Sequence, residues 1–193
     1  LKSSEDRRKY VKNHLLERGL PKFEFFDAIG PKDPKVDNAY SSKIVFEFPP
    51  CFRCGQINCS CKNNFLIPAQ VATFLTYLSL WKKVSLEKCP VLICEDDVVI
   101  HPWWDDVMRM IMNRTNKGEL NLNYQNPLLI RLGWAVNEEH SQKQELTLNR
   151  EVRMSNPCHI ITPAFAKDLL DEFKIIDTTA DIYLHQSSNS SKL

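Results

Sequence analysis

Residues 91–100 read VLICEDDVVI, so three consecutive carboxylates, Glu95, Asp96 and Asp97, directly follow an apolar run. The apolar run predicts a short buried β-strand, CPVLICE at 89–95. Three adjacent negative charges repel one another, and the end of a buried strand solvates them poorly. We therefore ask what these three carboxylates, the acidic cluster, hold in the folded protein.

Helical and strand-like patterns alternate on both sides of this segment. Helices are predicted at 3–20, 67–84, 101–114, 163–173 and 178–186, and further strands at 22–30, 43–48, 127–134 and 158–162. Residues 30–42 and 135–150 are polar and predicted to be loops. The alternation predicts an α/β fold with a mainly parallel central sheet flanked by helices. We expect one domain over 1–185, with 186–193 as a polar tail or linker.

Composition narrows the possible functions. Of the 193 residues, 43% are hydrophobic, which is enough for one sizeable core. The 25 basic and 24 acidic residues leave a net charge of +1, which gives no electrostatic reason to expect nucleic-acid binding. No apolar run reaches the roughly 18 residues that span a membrane. The five glycines form no dinucleotide-binding or P-loop motif, so phosphate would be bound by side chains, helix ends or a metal.

Four of the seven cysteines, Cys51, Cys54, Cys59 and Cys61, lie in one short segment, CFRCGQINCSC. Soft thiolates at this density are compatible with a structural zinc site; the alternative is a loop of free or oxidised thiols. Cys89, Cys94 and Cys158 lie in or beside apolar stretches and are predicted to be small buried residues. An odd number of cysteines without a signal peptide favours a reducing compartment, so we expect a cytoplasmic location.

A divalent cation is one candidate for what the acidic cluster holds. Ligands in open α/β sheets lie outside the carboxyl ends of the strands, where these acids are expected. If the strand continues through Asp97, then Glu95 and Asp97 share one side and Asp96 faces the other. Oxygen ligands suit Mg²⁺ or Mn²⁺, which complete their shell with water and substrate phosphates. The alternative is a solvated acidic turn that caps the next segment.

The chain also resembles glycosyltransferase family 25, the lipooligosaccharide-type and collagen-galactosyltransferase-like enzymes. The similar segments come in the family's order and cover most of the chain. They are LKSSEDRR, FEFFDAIG, QVATFLTYLSLWK, VLICEDDVVI, LLIRLG and the closing ITPAFAKDLL and TADIYL. The sequence departs from the family where Thr76-Tyr77 replace a common Ser-His pair, and where Gln70 and Ala72 replace a Glu and a Gly.

The resemblance implies a GT-A-type domain that transfers a sugar from a UDP- or GDP-type donor to a glycan or glycoprotein acceptor. It assigns Glu95, Asp97 and His185 to Mn²⁺ or Mg²⁺ through a DXD-like motif. The nucleotide-sugar side is assigned to Arg8, Asp27, Ala28, Gln70 and Asp96. Surface positions are the alternative reading for Arg8 and His185.

The resemblance further implies inversion at the anomeric carbon, which needs a base for the acceptor hydroxyl. Asp181 matches the family's closing acid and is the candidate base, and Asp97 is assigned to catalysis as well as to the metal. Thr178 and Asp181 also have capping-box spacing, so Asp181 has a purely structural alternative. His159 lies in a buried-looking strand and is expected to be structural.

Two other functions are compatible with the same residues. A metal-dependent phosphohydrolase or nuclease also gathers carboxylates at strand ends, although acids on several strands or a nearby Lys would be expected. A non-catalytic, zinc-stabilised binding domain would leave the acidic cluster at the surface. Trp103 and Trp104, directly after the cluster, are compatible with the border of a sugar site or with the core.

Overall fold

The computed structural model describes residues 4–20, 22–46, 49–51, 56–57, 59–60, 65–133 and 155–190. These segments form six helices and three strands. The helices are α1 (Glu5–Glu17), α2 (Pro34–Ser41), α3 (Pro68–Val84), α4 (Trp104–Asn116), α5 (Pro163–Glu172) and α6 (Ala180–Ser190). The strands are β1 (Val91–Cys94), β2 (Leu129–Arg131) and β3 (Cys158–Ile161). No helix in these segments has the length and apolarity that crossing a membrane requires.

Local sequence accounts for several helix starts. Pro34, Pro68 and Pro163 occupy the first turns of α2, α3 and α5, where the missing N–H costs nothing. The Asp33 carboxylate caps α2 by accepting the N–H of Lys35 at 2.9 Å. Helix α2 lies inside the segment predicted to be a loop, and α6 continues through part of the predicted polar tail.

The sheet is antiparallel, so the predicted parallel sheet is wrong. Its order is β1-β3-β2, and β3 runs opposite to both neighbours. The crossover through α4 does leave β1 and β2 pointing the same way, as a βαβ unit requires. The alternation of helices and strands along the sequence does not show that β3 lies between β1 and β2 and runs antiparallel to both.

Two predicted strands before α3 do not form. Residues 22–30 have no regular structure, and the side chains of Phe23 and Phe25 are partly exposed. In residues 43–46, the part of the predicted strand at 43–48 that the structure describes, Val45 forms a single parallel bridge with Ile176. Alternating aromatic residues favour a strand, but strand formation also needs a neighbouring strand with unpaired backbone groups.

Helix α3 lies at the centre of the main core. Its side chains Val71, Phe74 and Trp81 are fully buried, and the rings of Phe74 and Trp81 meet edge to face with centroids 6.2 Å apart. The same core contains Phe165 and Leu169 of α5, Leu184 of α6, and Ile93 and Ile161 of the sheet. This packing brings α3 and α6 to the sheet edge where β1 ends.

Helix α1 packs against the segment that follows β1. Val11 and Leu15 are buried with Val98, Ile100 and Trp104 in a second hydrophobic cluster. The backbone N–H of Ile100 donates to His14 Nε2 at 2.7 Å. Through these contacts α1 lies beside the acidic cluster. Trp104 therefore belongs to the core, whereas Trp103 is half-buried and stacks on His101.

Candidate active site

The acidic cluster lies at the edge of the sheet where β1 and β2 end and β3 begins. The N–H of Glu95 donates to the carbonyl of Pro157 at 2.9 Å, which extends the β1–β3 ladder by one bond beyond the strands. Arg131 is the last residue of β2 and pairs with His159 in the register of β3. Residues from three distant parts of the sequence thereby meet at one sheet edge.

Glu95 is the most enclosed carboxylate of the cluster. It is half-buried, and the Tyr77 hydroxyl on α3 donates to its Oε1 at 3.2 Å. Burial raises the pKa of Glu95, and the negative charges of Asp97, Asp181 and Asp96 raise it further, against the lowering effect of the Tyr77 hydrogen bond. Negative charge therefore accumulates around a carboxyl that water solvates only in part.

Asp96 and Asp97 turn away from the sheet toward α1. The strand ends at Cys94, and the N–H of Val98 closes a turn on the carbonyl of Glu95 at 3.3 Å. Arg7 Nη1 lies 3.0 Å from Asp96 Oδ1 and 3.8 Å from Asp97 Oδ2. The strand therefore does not continue through Asp97, and the condition under which Glu95 and Asp97 would share one side of it is not met.

Asp181 joins the site from α6. Its Oδ2 accepts the N–H of Ser155 at 2.6 Å, and its Oδ1 accepts the hydroxyl of Thr179. Burial raises the pKa of Tyr77, and the negative charges of Glu95 and Asp181 raise it further. Asp181 also contributes to the raised pKa of Glu95. Helix α6 begins at Ala180, so Thr179 directly precedes the helix, and the predicted pairing of Thr178 with Asp181 is not the contact that forms.

Two buried histidines and Arg131 lie behind the carboxylates. His185 is 3% exposed, and burial, followed by the charge of Arg131, lowers its pKa to about 4. Burial lowers the pKa of His159 to about 3, and its ring stacks on Tyr77 with centroids 6.4 Å apart. The surface alternative for His185 is therefore wrong. Both imidazoles are neutral at physiological pH.

The residues assigned to the nucleotide side form a second contact with α1. Arg8 Nη2 pairs with Asp27 Oδ1 at 2.5 Å, and the guanidinium lies over the Phe25 ring, 4.8 Å from its centroid. Ala28 follows Asp27 and is half-buried. The N–H of Ile29, the next residue, donates to Thr76 Oγ1 at 2.9 Å, so α3 fixes this turn.

Gln70 lies in the first turn of α3. Its Oε1 accepts the N–H of Ile67 at 3.0 Å, which caps the helix start. This contact gives Gln70 a structural role at the position where the sequence analysis assigned donor binding.

Comparison with known families identifies the chain. The family model described as glycosyltransferase family 25 (LPS biosynthesis protein) matches residues 1–184. The chain belongs to glycosyltransferase family 25. No curated protein matches it significantly. Family membership implies glycosyltransferase activity, and with it a sugar donor and an acceptor.

Three residues of this family 25 site were absent from the predicted set. Arg7 contacts two of the acids, Tyr77 contacts the third, and Arg131 donates to the carbonyl of Ser155 at 2.9 Å. Arg7 could have been predicted from the sequence, because it stands beside Arg8 in LKSSEDRR, the segment similar to the family's opening. Tyr77 and Arg131 looked like ordinary members of a helix and a strand.

The binding of a divalent cation stays a prediction for this family 25 chain. Within the segments that the structure describes, no three His, Cys, Asp or Glu side chains are grouped around one position. The side chains of the acidic cluster nevertheless fit a hard cation, because they concentrate carboxylate oxygens at the end of β1 and because the pKa of Glu95 is raised. Such a cation usually binds only one or two protein carboxylates, and water molecules and phosphate oxygens supply its other ligands.

The predicted zinc loop is only partly described. Cys51 is buried and Cys59 is half-buried, whereas Cys54 and Cys61 lie outside the described residues. The structural zinc site therefore stays a prediction.

Proposed function

We propose that this family 25 glycosyltransferase takes a hexose from a UDP- or GDP-type donor and transfers it to a hydroxyl of a glycan or protein-linked acceptor, with the help of a divalent cation. The observation that carries the proposal is the position of three adjacent carboxylates, Glu95, Asp96 and Asp97, directly after β1 in a chain that matches the family over residues 1–184. Burial and the nearby negative charges raise the pKa of Glu95, in agreement with this position. Carboxylates gathered at such a position, with Arg7 as an exposed partner of two of them, suit a ligand that brings positive charge and phosphate together.

Glu95 and Asp97 are the residues we assign to Mn²⁺ or Mg²⁺. The Tyr77 hydroxyl donates to Glu95 from the core side. Asp97 is exposed, and its Oδ2 lies 3.8 Å from Arg7 Nη1. His185, the third predicted ligand, supplies a neutral imidazole near Asp181, but in the described structure it is not grouped with Glu95 and Asp97 around one position. The cation, when bound, neutralises charge that develops on the departing nucleoside diphosphate.

Arg7 and Arg8 are placed to receive the donor from the α1 side. Arg7 now neutralises Asp96 and Asp97, and Arg8 neutralises Asp27, through contacts with exposed or half-exposed side chains. Exposed ion pairs of this kind stabilise a protein by about 0–1 kcal/mol. The phosphate oxygens of a donor can therefore replace the carboxylates as partners of the two guanidinium groups with little loss of stability.

Asp181 is the proposed base for the acceptor hydroxyl. The Ser155 N–H and the Thr179 hydroxyl each use one acceptor position on its carboxylate and fix its orientation. A carboxylate has about four acceptor positions in total, so others are left for the acceptor's proton. A positioned base typically accelerates proton removal by about 10²–10⁴-fold.

The test is donor binding with and without metal in two aspartate variants. We expect calorimetry to detect UDP- or GDP-sugar binding only when Mn²⁺ or Mg²⁺ is present. In Asp97→Ala the affinity for the donor should fall about 10-fold to 100-fold. Asp105→Ala is the matched control, because Asp105 is an exposed aspartate in the first turn of α4. Metal-independent binding, or equal binding by Asp97→Ala and wild type, would rule out the assignment. The same donor screen identifies the nucleotide and the sugar.

A further inference from the structure

The inference concerns Cys94 and Cys158, two cysteines that the glycosyl transfer does not use. Cys94 is the last residue of β1 and Cys158 the first of β3, and the register pairs them directly. Their Sγ atoms lie 3.4 Å apart although the residues are 64 positions apart in sequence. Both are unbridged thiols in this structure.

The ladder geometry brings these two side chains unusually close. The next pair along, Glu95 and Pro157, shares the hydrogen bond from the Glu95 N–H to the Pro157 carbonyl. Hydrogen-bonded and non-hydrogen-bonded pairs alternate in an antiparallel ladder, so Cys94 and Cys158 form a non-hydrogen-bonded pair. Such pairs have Cα atoms about 4.5 Å apart, within the range of about 4.4–6.8 Å that disulfides adopt.

The two thiols differ in a way that suits stepwise oxidation. Cys94 is half-buried, whereas Cys158 is 4% exposed. Cys94 is therefore the thiol that a small disulfide in solution reaches first, and Cys158 lies within reach of Cys94 Sγ.

We propose that Cys94 and Cys158 are a redox-active dithiol that closes to an intramolecular disulfide by exchange with a low-molecular-weight disulfide such as oxidised glutathione. The Cys94 thiolate attacks one sulfur of that molecule and displaces the other half as a thiolate. Cys158, as its proton leaves, attacks Sγ of Cys94 and displaces the second half. The two protein thiols are oxidised, and the small disulfide is reduced to two thiols that take up the two protons.

The bond would tie β1 to β3 beside the acidic cluster. The sulfur atoms need to move from 3.4 Å to about 2.05 Å, a change that small rotations of the two side chains supply. The closed loop is long, and a cross-link over a long loop removes conformational entropy from the unfolded chain. Because Glu95 directly follows Cys94, the disulfide also restrains the backbone that carries Glu95. This inference does not depend on the proposed sugar transfer.

The experiment equilibrates the full chain in glutathione buffers of increasing oxidised fraction, blocks the remaining thiols by alkylation and maps peptides without reduction. We expect a peptide pair linked through Cys94 and Cys158, and a reversible rise in Tm of roughly 5–10 °C. Cys94→Ser and Cys158→Ser should each lose the linked pair and the Tm shift. Cys89→Ser, at an exposed cysteine near β1, should keep both.

Wild-type protein alone can overturn the proposal. If Cys94 and Cys158 are both recovered alkylated under conditions in which Cys89 carries a glutathione mixed disulfide, the pair is not a redox-active dithiol. A linked pair that leaves Tm unchanged or lowers it would also contradict the proposal, because the bond would then distort the sheet edge. Peptide mapping distinguishes either result from oxidation within residues 51–61.

Discussion

The two sides of the candidate site are held in different ways. On the inner side, which we call the buried wall, the side chains belong to α3, to the end of the sheet and to α6, and they are buried or half-buried: Tyr77, Glu95, His159, Asp181 and His185. On the outer side, the exposed rim, charged side chains of α1 pair with two loops: Arg7, Arg8, Asp27, Asp96 and Asp97. In the closest rim contact to the acids, the side chains of Arg7 and Asp96 are 58% and 38% exposed.

This difference separates residues fixed before substrate arrives from residues free to respond to it. Hydrogen bonds in the buried wall are expensive to break, because an unpaired buried group loses its water without compensation. Ion pairs in the exposed rim exchange with solvent and salt at little cost. We expect changes in the wall to alter chemistry and stability, and changes in the rim to have small effects on stability.

The largest expected effect is on catalysis by Asp181→Asn. The amide keeps an oxygen that can accept the Ser155 N–H, so the fold should persist, whereas the basic carboxylate is lost. We expect kcat for sugar transfer to fall about 10²–10⁴-fold while Tm changes by only a few degrees. Asp177→Asn, at an exposed position shortly before α6, is the control. Activity within about tenfold of wild type would remove Asp181 from the role of base.

The next effect is on stability in acid, through His159. Its folded pKa of about 3 lies below the ordinary value of 6.5, so the unfolded chain binds the proton first as pH falls. The free energy of unfolding is therefore at its full value above pH 6.5 and falls progressively toward pH 3. The fall due to His159 is about 2 kcal/mol at pH 5. The raised pKa of Glu95 acts in the opposite direction, because protonated Glu95 favours the folded state.

Urea unfolding at pH 7 and pH 5 measures this loss. His101→Gln, at an exposed histidine, should keep the wild-type dependence on pH. His159→Leu should reduce that dependence by about half, because His185, with a pKa of about 4, contributes a loss of similar size. A wild-type stability that stays level from pH 7 to pH 5 would mean that His159 is protonated in the folded protein, against its burial.

A smaller effect is expected from Tyr77→Phe. The variant loses one hydrogen bond to Glu95, worth about 1 kcal/mol. Since that bond lowers the pKa of Glu95, its loss should raise this pKa and shift metal-dependent donor binding to higher pH. Urea unfolding and the pH profile of Mn²⁺-dependent donor binding report the two changes. Tyr10→Phe, on the exposed side of α1, should change neither; a Tyr77→Phe profile that overlays wild type would contradict the contact.

The smallest effect belongs to the exposed rim. Arg7→Ala removes contacts with Asp96 and Asp97, and we expect the free energy of unfolding to fall by less than about 1 kcal/mol. Arg109→Ala removes an exposed pair with Asp106 on α4 and should have a similar effect. A loss above about 2 kcal/mol for Arg7→Ala alone would make the rim a structural element and end the distinction between the two sides.

Parts of the site were predictable because their signals are local or ordered along the chain. VLICEDD combines an apolar run with adjacent carboxylates, and the closing TADIYL resembles a family segment, so the sequence named both Glu95 and Asp181 as candidates. The contact of Tyr77 with Glu95 was not predicted, because helical periodicity shows that one face of α3 is buried but not which residue it meets. The direction of β3 was missed for a similar reason.

The sequence by itself determined the main helices, the strand that precedes the acids and the resemblance to a glycosyltransferase family. These depend on residue spacing, prolines at helix starts and the order of short motifs, all of which are properties of neighbouring residues. Only the tertiary structure decided that the sheet is antiparallel, that Arg7 faces two acids while Tyr77 holds the third, and that Cys94 meets Cys158. Those results depend on which surfaces pack together, and packing is decided by the shape and burial of the whole chain.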